Sequence, residues 1–315
     1  MSLHVVVGAG PVGTTLAIQL ADLGHDVRVV TRSGRGPAHP RIELIAADAS
    51  APETLLPHAV GAAALYNCAN PPTYVQWAQL WPPLAASMLA TAETTAAVLV
   101  TANNLYGYGP VDGPMTPDLP LAATGPKGRL RAQIWRDALA SHEAGRARVT
   151  EVRSSDYLGP GLGSNHGVII RCGQAAVAGR TAYVLGDPRA PHSWSFVPDV
   201  ARALATVGTD ERAWGRAWHV PTNPPVPVRA LLAEATARVG ARPPRVRRLP
   251  NRLVRLLAPM SPLMREVSEV LYQFERPFEI DSTATISTFA LEPTPWDEVV
   301  RSTADAWQAA SGARP

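Results

Sequence analysis

The sequence predicts an α/β fold in which helices cover both faces of a parallel β-sheet. Three observations point to this class. Short β-branched runs alternate with helical segments over the first 155 residues, a glycine-rich turn joins the first run to the first helix, and the chain of 315 residues is 46% apolar. Strands that alternate with helices form parallel sheets. A chain of this length suits one large domain with a smaller one appended.

Each element is recognised from its hydrophobic period. The run over residues 4–7 predicts a buried strand, and the apolar positions from Leu16 to Leu23 predict a helix that ends at Gly24. Beyond residue 155 the sequence predicts mainly loops and short segments. The other predicted strands are 27–30, 42–46, 63–68, 97–101 and 148–153, and the other predicted helices are 74–94, interrupted near Pro82 and Pro83, and 127–145.

The turn after the first strand carries the pattern Gly8-x-Gly10-x-x-Gly13. Gly8 permits a tight turn, Gly10 lets the backbone approach a pyrophosphate, and Gly13 lets the helix pack closely on the strand. The pyrophosphate would rest on the helix N-terminus, beside Val12. The pattern predicts a Rossmann-like doubly wound parallel sheet that binds a dinucleotide, and the length of the chain leaves room for a smaller C-terminal subdomain.

The end of the second strand indicates which dinucleotide binds. NAD-binding proteins place an acid there for the ribose 2′-hydroxyl. In this chain Arg32 and Ser33 follow the strand, Arg35 comes soon after, and no carboxylate is present. Guanidinium groups and a hydroxyl suit a 2′-phosphate, because charge-assisted hydrogen bonds are strong. The expected cofactor is NADP(H), although an Arg32 that only stacks on the adenine would accept NAD(H) as well.

Composition argues against several other classes of protein. No apolar run is long enough for a membrane span, and the N-terminus lacks the features of a secretion signal. Cys68 and Cys172 do not make a disulfide framework, so a cytoplasmic protein is expected. The eight histidines are scattered, which predicts no metal site. Net charge is +3, and the arginine-rich stretch 238–255 lacks aromatic residues, so we expect a solvated surface or an anionic-substrate site there and no nucleic-acid partner.

Five stretches together resemble the extended short-chain dehydrogenase/reductase family of nucleotide-sugar epimerases and dehydratases. They are GAGPVG, Asp48-Ala49, NNLYGYGP (103–110), RSSDYLGPG (153–161) and HSWSFVPDVARAL (192–204). The resemblance implies a dinucleotide-binding domain over 1–160 and a substrate-binding subdomain over 161–315, with 192–222 returning to the sheet. It implies that Asp48 meets the adenine amino group, that Ala69 and Thr101 lie along the cofactor, and that a homodimer is one expected state.

The family's catalytic Tyr-x-x-x-Lys does not appear in this chain. The resemblance aligns its tyrosine with Thr124 and its lysine with Gly128, next to Lys127. Lys127 is the only lysine among 29 lysine and arginine residues, so we expect it to contact cofactor or substrate, unless it is a solvent-exposed residue at a helix start. Thr124 cannot act as an acid near neutrality but could orient a water. Tyr106, at the end of the fifth strand, is the expected proton donor, unless it is a structural tyrosine.

Aromatic and polar side chains near the ends of the strands are the candidate substrate residues. Trp77 and Trp81 are four residues apart, and so on one helical face, which is more common in a core but here follows a strand end. The full candidate set for the substrate is Tyr74, Trp77, Asn104, Tyr157, Asn165 and His192.

These observations favour an NADP(H)-dependent oxidoreductase that transfers hydride to a C=O, C=N or activated C=C bond of a small organic molecule. Two alternatives stay open. One is a nucleotide-sugar epimerase or dehydratase, which is the family norm but needs the missing tyrosine. The other is an NADP-binding sensor without catalytic activity.

Overall fold

A computed structural model describes residues 1–164 and 166–312, apart from the side chains at positions 253, 255, 257, 262 and 263. The strands in this part of the chain are β1 (Leu3–Val7), β2 (Asp26–Thr31), β3 (Ile42–Ala46), β4 (Ala62–Asn67), β5 (Val98–Asn104), β6 (Val149–Ser154), β7 (Asp156–Leu158), β8 (Ala182–Val184), β9 (Trp194–Phe196), β10 (Ala217–His219) and β11 (Val246–Arg248).

The helices in the same part of the chain alternate with these strands and continue beyond them. They are α1 (Pro11–Asp22), α2 (Pro52–Ala59), α3 (Trp77–Thr95), α4 (Pro126–Glu143), α5 (Val168–Val177), α6 (Val197–Thr209), α7 (Val228–Arg238), α8 (Asn251–Leu257), α9 (Pro262–Val270), α10 (Tyr272–Glu275), α11 (Thr283–Phe289) and α12 (Trp296–Ser311). A short 3-10 turn, Tyr74–Gln76, precedes α3.

The main sheet has the strand order β10-β6-β5-β4-β1-β2-β3, and every pairing within it is parallel. The chain runs outward from β1 to β3 and then returns to β4 on the other side of β1. This reversal creates a crevice at the carboxyl ends of β1 and β4, where ligands of such sheets bind. The predicted Rossmann-like doubly wound fold is confirmed.

The sheet is a buried middle layer between two hydrophobic clusters. Alternate residues of each strand point to opposite faces, so Val6 packs with α1 and α6 whereas Val5 packs with α2 and α3. Both valines are fully buried. The strands at the centre of the sheet are therefore buried on both sides, whereas the edge strand β3 is partly exposed.

The prolines in α3 do not interrupt it, contrary to the sequence-based expectation. α3 runs unbroken from Trp77 to Thr95 with Pro82 and Pro83 inside it. The carbonyl groups that lose their hydrogen-bond partners belong to Ala78 and Gln79, four residues earlier. All four of these residues are exposed, so water can take the place of the missing donors.

The C-terminal half is more helical than the sequence suggested. α6 packs on α1 and on the main sheet, and β10 adds the strand next to β6. α9 packs against the turn Tyr74–Gln76, at the carboxyl end of the sheet. The boundary near residue 160 stays a prediction. Within the described residues, no helix is long and apolar enough to cross a membrane, and no cluster of three potential metal ligands occurs.

Candidate active site

The glycine-rich turn between β1 and α1 has the shape that a pyrophosphate requires. Gly8 has a φ of +97°, and a side chain there would lie 2.7 Å from the backbone of Ala69. A side chain at Gly13 would overlap the carbonyl oxygen of Gly8. At Gly10, in contrast, nothing lies within 4 Å of the Cβ position, so the turn is open on that side. α1 begins at Pro11 without a side-chain cap, so its first N–H groups can receive an anion.

The other predicted cofactor positions on the central strands lie around this turn. Val12 is in the first turn of α1 and is buried. Ala69 follows β4 and closes over Gly8, as described above. Thr101 lies in β5, next to the end of β4, and is buried. The structure therefore brings all three to the carboxyl-end side of the sheet, where the strand order reverses.

Arg32, Ser33 and Asp48 lie together at the carboxyl ends of β2 and β3, and all three are exposed. The Asp48 Oδ1 atom accepts hydrogen bonds from the Ser50 hydroxyl at 2.7 Å and the Ser50 N–H at 3.0 Å. These bonds, with a smaller contribution from the charge of Arg32, hold the pKa of Asp48 below its usual value. An ionised acid and a guanidinium thus flank this end of the crevice. The choice between NADP(H) and NAD(H) stays a prediction.

The positions aligned with the family's tyrosine and lysine cannot carry out their chemistry. Thr124 is exposed, and its carbonyl oxygen accepts a hydrogen bond from Arg129. Gly128 is buried in the first turn of α4, and a Cβ there would overlap the Tyr106 carbonyl oxygen and the Ala123 methyl group. The lysine position therefore has no room for a side chain. A role for Thr124 in orienting water stays a prediction.

Lys127 is a buried ion-pair residue that joins α4 to α9. Its side chain is 3% exposed, and Nζ forms ion pairs with Glu266 and with Glu269, the latter at 2.8 Å. Nζ also donates to the Glu266 carbonyl oxygen at 3.2 Å, and the Lys127 N–H donates to Glu269 at 2.8 Å. The ring of Tyr74 lies 5.0 Å from Nζ. All three ammonium hydrogens therefore have acceptors within the protein. A contact of Lys127 with cofactor or substrate stays a prediction.

Tyr74 and Tyr106 form a hydroxyl pair at the carboxyl ends of β4 and β5. Their oxygen atoms are 2.7 Å apart. Trp77 stacks on Tyr106 with a centroid separation of 6.0 Å, and Trp77 meets Trp81 edge to face at 6.1 Å. Burial raises the pKa of Tyr106 well above its usual value and also raises that of Tyr74. Both phenols are therefore protonated at neutral pH.

Two further predicted substrate residues lie beside this pair. The Asn104 side-chain oxygen accepts the N–H of Tyr106 at 3.1 Å, so Asn104 shapes the turn that carries the tyrosine. The Tyr157 hydroxyl is 3.1 Å from Ser154 Oγ, and burial raises the pKa of Tyr157. Asn104 and Tyr157 are both half-buried, which leaves part of each open to a ligand.

His192 lies deeper than the sequence suggested. It is buried between Phe274 and Phe278, with ring centroids 5.4 and 5.3 Å away. Its Nε2 atom is 2.9 Å from Asp156 Oδ2. The negative charge of Asp156 raises the pKa of Tyr74, Tyr106 and Tyr157, so this carboxylate is close to all three phenols. Asp156 was not recognised from the sequence, and the predicted substrate residue Asn165 lies outside the described residues.

Arg131 is the main site residue that the sequence did not indicate. It is 3% exposed and lies four residues after Lys127, on the same face of α4. Its Nη2 atom donates to the Ala102 carbonyl at 3.0 Å, and its Nε donates to Asn103 Oδ1. The guanidinium carbon lies 4.1 Å from the centroid of Trp81. The i, i+4 spacing from the only lysine was the available signal.

A buried polar network continues from Asn103 into the sheet. Asn103 donates to Glu151, which also pairs with Arg153 Nε at 2.6 Å. Arg153 donates to the Tyr108 hydroxyl at 2.6 Å, and that hydroxyl lies 2.7 Å from His219 Nε2. The polar groups satisfy one another, as buried groups must. The network ties the floor of the site to β10.

The model of the NAD dependent epimerase/dehydratase family matches residues 4–220. The chain belongs to this family. Membership confirms the resemblance read from the sequence, and it makes the loss of the tyrosine and lysine a departure within the family. A search of curated protein sequences finds no match.

Solved structures of family enzymes share the fold over nearly the whole chain. The dTDP-glucose 4,6-dehydratase from Bacillus anthracis, solved with NAD, has a TM-score of 0.79 and 17% identity, covering 98% of this chain and 97% of its own. The UDP-N-acetylglucosamine 4-epimerase from Methanobrevibacter ruminantium, solved with UDP-N-acetylmuramic acid, has a TM-score of 0.80, 13% identity and 98% coverage of both chains. The Thermus thermophilus UDP-glucose 4-epimerase, solved with NAD, has a TM-score of 0.77 and 16% identity, covering 98% of this chain and 99% of its own. At these identities the likeness establishes the fold.

Proposed function

We propose that this protein is an NADP(H)-dependent oxidoreductase that reduces a C=O, C=N or activated C=C bond of a small organic substrate. The observation that carries the proposal is the pair of phenol groups, Tyr74 and Tyr106, 2.7 Å apart at the carboxyl end of the sheet. Thr124 and Gly128, which align with the family's tyrosine and lysine, offer no acid, base or cation. The two phenols would take over the role of proton donor.

The cofactor would be held by the turn between β1 and α1 and by the residues after β2. Gly8 and Gly10 would admit the pyrophosphate, and the free N–H groups of α1 would bind it. Arg32 and Ser33 would receive the 2′-phosphate. When bound, the cofactor supplies hydride chemistry at its nicotinamide ring, while the protein orients the reactants.

The protonation state of Tyr106 is compatible with reduction as the direction of the proposed reaction. Reduction of a carbonyl builds negative charge on oxygen, which needs a hydrogen-bond or proton donor. The neutral, half-buried phenol of Tyr106 would provide that hydrogen-bond donor, and Tyr74 lies 2.7 Å from it. Oxidation of a hydroxyl needs a base instead, and the raised pKa values of Tyr74 and Tyr106 make both phenols unsuitable for that role.

A nucleotide-sugar epimerase or dehydratase is the second candidate. The solved relatives support it, because their names specify these activities on dTDP- and UDP-sugars. Such chemistry begins with oxidation of a sugar hydroxyl, and so needs a base. Asp156, paired with His192 at 2.9 Å, is the carboxylate that would have to supply it. Interconversion of UDP-glucose or dehydration of dTDP-glucose by the purified protein would favour this candidate over a reductase.

Cofactor choice is tested by titration of the protein with NADPH and NADH, followed by nicotinamide fluorescence. NADPH is expected to bind more tightly, and Arg32→Ala is expected to weaken NADPH binding about tenfold while NADH binding stays unchanged. Arg41→Ala is the matched control, since Arg41 is a partly exposed arginine at the opposite end of the strands that pairs with Asp26. Equal affinity for NADPH and NADH would refute the proposed recognition of the 2′-phosphate by Arg32 and Ser33.

Turnover is tested by oxidation of NADPH against a panel of ketones, imines and enones. Tyr106→Phe is expected to lower kcat by about 100-fold or more with the NADPH affinity retained, because it removes the donor but keeps the ring. Tyr183→Phe is the control, since Tyr183 is exposed on β8. Undiminished turnover in Tyr106→Phe would refute the donor role. Binding of NADPH without turnover of any substrate would favour a sensor.

A further inference from the structure

Three buried cations lie on α4 and the adjoining strand β6, and they differ in their counterions. Lys127 has two carboxylates, Glu266 and Glu269, and Arg153 has Glu151. Among the residues that the structure describes, no carboxylate oxygen lies within 4.0 Å of a nitrogen of Arg131. A buried charge without a partner is costly, and proteins normally provide a counterion. Arg131 is the exception that needs an explanation.

The hydrogen bonds of Arg131 leave one of its nitrogen atoms free. Nε and Nη2 donate to Asn103 and to the Ala102 carbonyl, whereas the buried Nη1 has no acceptor in the described structure. Glu151 reaches Arg131 through Asn103, and its charge favours the cationic form of Arg131, but this carboxylate is already bonded to Arg153. Burial lowers the pKa of Arg131 to about 10, so it remains a cation at neutral pH.

A second unpartnered donor belongs to the ring on which the Arg131 guanidinium stacks. The indole Nε1 of Trp81 is buried without an acceptor, and the guanidinium of Arg131 lies over the Trp81 ring. Both groups are N–H donors, so one acceptor that carries no hydrogen of its own would satisfy both. A water molecule would satisfy the hydrogen bonds but would leave the charge of Arg131 unbalanced.

The surroundings indicate what kind of molecule would carry the acceptor. Trp77 lies 6.0 Å from both the guanidinium carbon of Arg131 and the ring of Tyr106, and it meets Trp81. The free donors therefore adjoin the aromatic surface that leads to the proposed proton donor. Flat apolar groups bind between such rings, and a guanidinium pairs best with a planar oxyanion.

We propose that Arg131 Nη1, together with Trp81 Nε1, binds the carboxylate of a small aromatic or conjugated acid, which is the substrate class of this enzyme. The assignment rests on the proposed function for its reaction, but the binding itself does not require turnover. The carboxylate would balance the charge of Arg131, and the conjugated part of the molecule would lie along Trp77 toward Tyr106.

The test is isothermal titration calorimetry with benzoate and with benzamide, on the protein alone and on the protein saturated with NADP⁺. The two probes have the same ring and nearly the same shape, but only benzoate is charged. Benzoate is expected to bind at least about tenfold more tightly than benzamide, since hydrogen bonds to charged groups are the stronger ones.

The variants locate the effect. Arg131→Gln is expected to weaken benzoate binding about 10- to 100-fold and to leave benzamide and NADPH binding unchanged. Trp81→Phe keeps an aromatic ring but removes the Nε1 donor, so a smaller loss of benzoate affinity is expected. Arg131→Lys keeps the charge and should retain part of the affinity. Arg136→Gln, an exposed arginine on the same helix, is the matched control and should behave as the wild type.

The outcomes separate this inference from the proposed function. Selective benzoate binding that depends on Arg131 supports the inference even if NADPH does not bind, in which case only the proposed function fails. Absence of benzoate binding, equal binding of benzoate and benzamide, or equal loss in Arg131→Gln and Arg136→Gln overturns it. If circular dichroism shows that Arg131→Gln does not fold, benzoate binding is measured in Trp81→Phe and Arg131→Lys instead. Unchanged benzoate affinity in both variants overturns the proposed carboxylate site.

Discussion

Replacing Lys127 by methionine should destabilise the protein although it removes no large apolar group. Methionine keeps the unbranched stem but leaves Glu266 and Glu269 facing each other without a cation. Breaking a buried ion pair by removing one partner costs about 3–5 kcal/mol. The two carboxylates are 22% and 20% exposed, so water can reach them and the expected loss falls to about 2–3 kcal/mol. For a chain of this size, Tm should fall by about 3–5 °C.

Urea denaturation followed by circular dichroism measures this loss. Arg136→Met, at an exposed position of the same helix, should change the free energy of unfolding by less than about 0.5 kcal/mol. A double-mutant cycle with Glu269→Gln isolates the pair, and Glu269→Gln should cost less in the Lys127→Met background than in the wild type. A loss in Lys127→Met below about 0.5 kcal/mol, or strict additivity, would refute the ion-pair interpretation. Unchanged NADPH affinity in Lys127→Met would also assign Lys127 to the structure and not to the cofactor.

The remaining predictions concern backbone packing and pH. Gly128→Ala usually stabilises a helix interior, but here it should cost about 1–3 kcal/mol, because the methyl group would overlap the Tyr106 carbonyl oxygen; stabilisation in a thermal melt would contradict this. The free energy of unfolding should fall as pH drops from 6.5 toward 4. Burial, which removes the ring from water, lowers the pKa of His219 to about 4 and that of His4 to about 4, so the unfolded chain binds these protons first. Each histidine contributes at most about 3 kcal/mol, present in full above pH 6.5 and lost toward pH 4. His219→Gln should flatten the pH profile measured by urea denaturation, and an unchanged slope would contradict the assignment.

Local sequence determined the cofactor end of the site. The spacing of the three glycines is readable from the sequence because each has a local role in the turn: Gly8 adopts a positive φ, Gly10 leaves the turn open, and Gly13 packs on the Gly8 carbonyl oxygen. Arg32 and Asp48 directly follow strands β2 and β3, and the parallel order alone brings those strand ends together. Most strand and helix positions through residue 154 were likewise predictable, because strands and helices carry different hydrophobic periods, although α2 was not recognised and the break expected in α3 does not occur.

Tertiary structure decided the substrate end. Lys127 is adjacent in sequence to the family's lysine position, yet its partners Glu266 and Glu269 lie about 140 residues further along the chain, as the separations of 139 and 142 residues record. No local pattern predicts a contact at that distance. Gly128 looks like an ordinary helical residue until the Tyr106 carbonyl is placed against it.

Arg131 shows the same division. The sequence contains 29 lysine and arginine residues, and only the i, i+4 spacing from Lys127 distinguishes this arginine from those on the surface. Its role depends on the groups that surround it after folding. These are two tryptophans and the Ala102 carbonyl at the end of β5, and no described carboxylate lies within ion-pair distance of it. Composition and periodicity determine which elements form, because these depend on neighbours in the chain. Charge balance in a buried site depends on groups brought together from distant segments, and only the fold decides it.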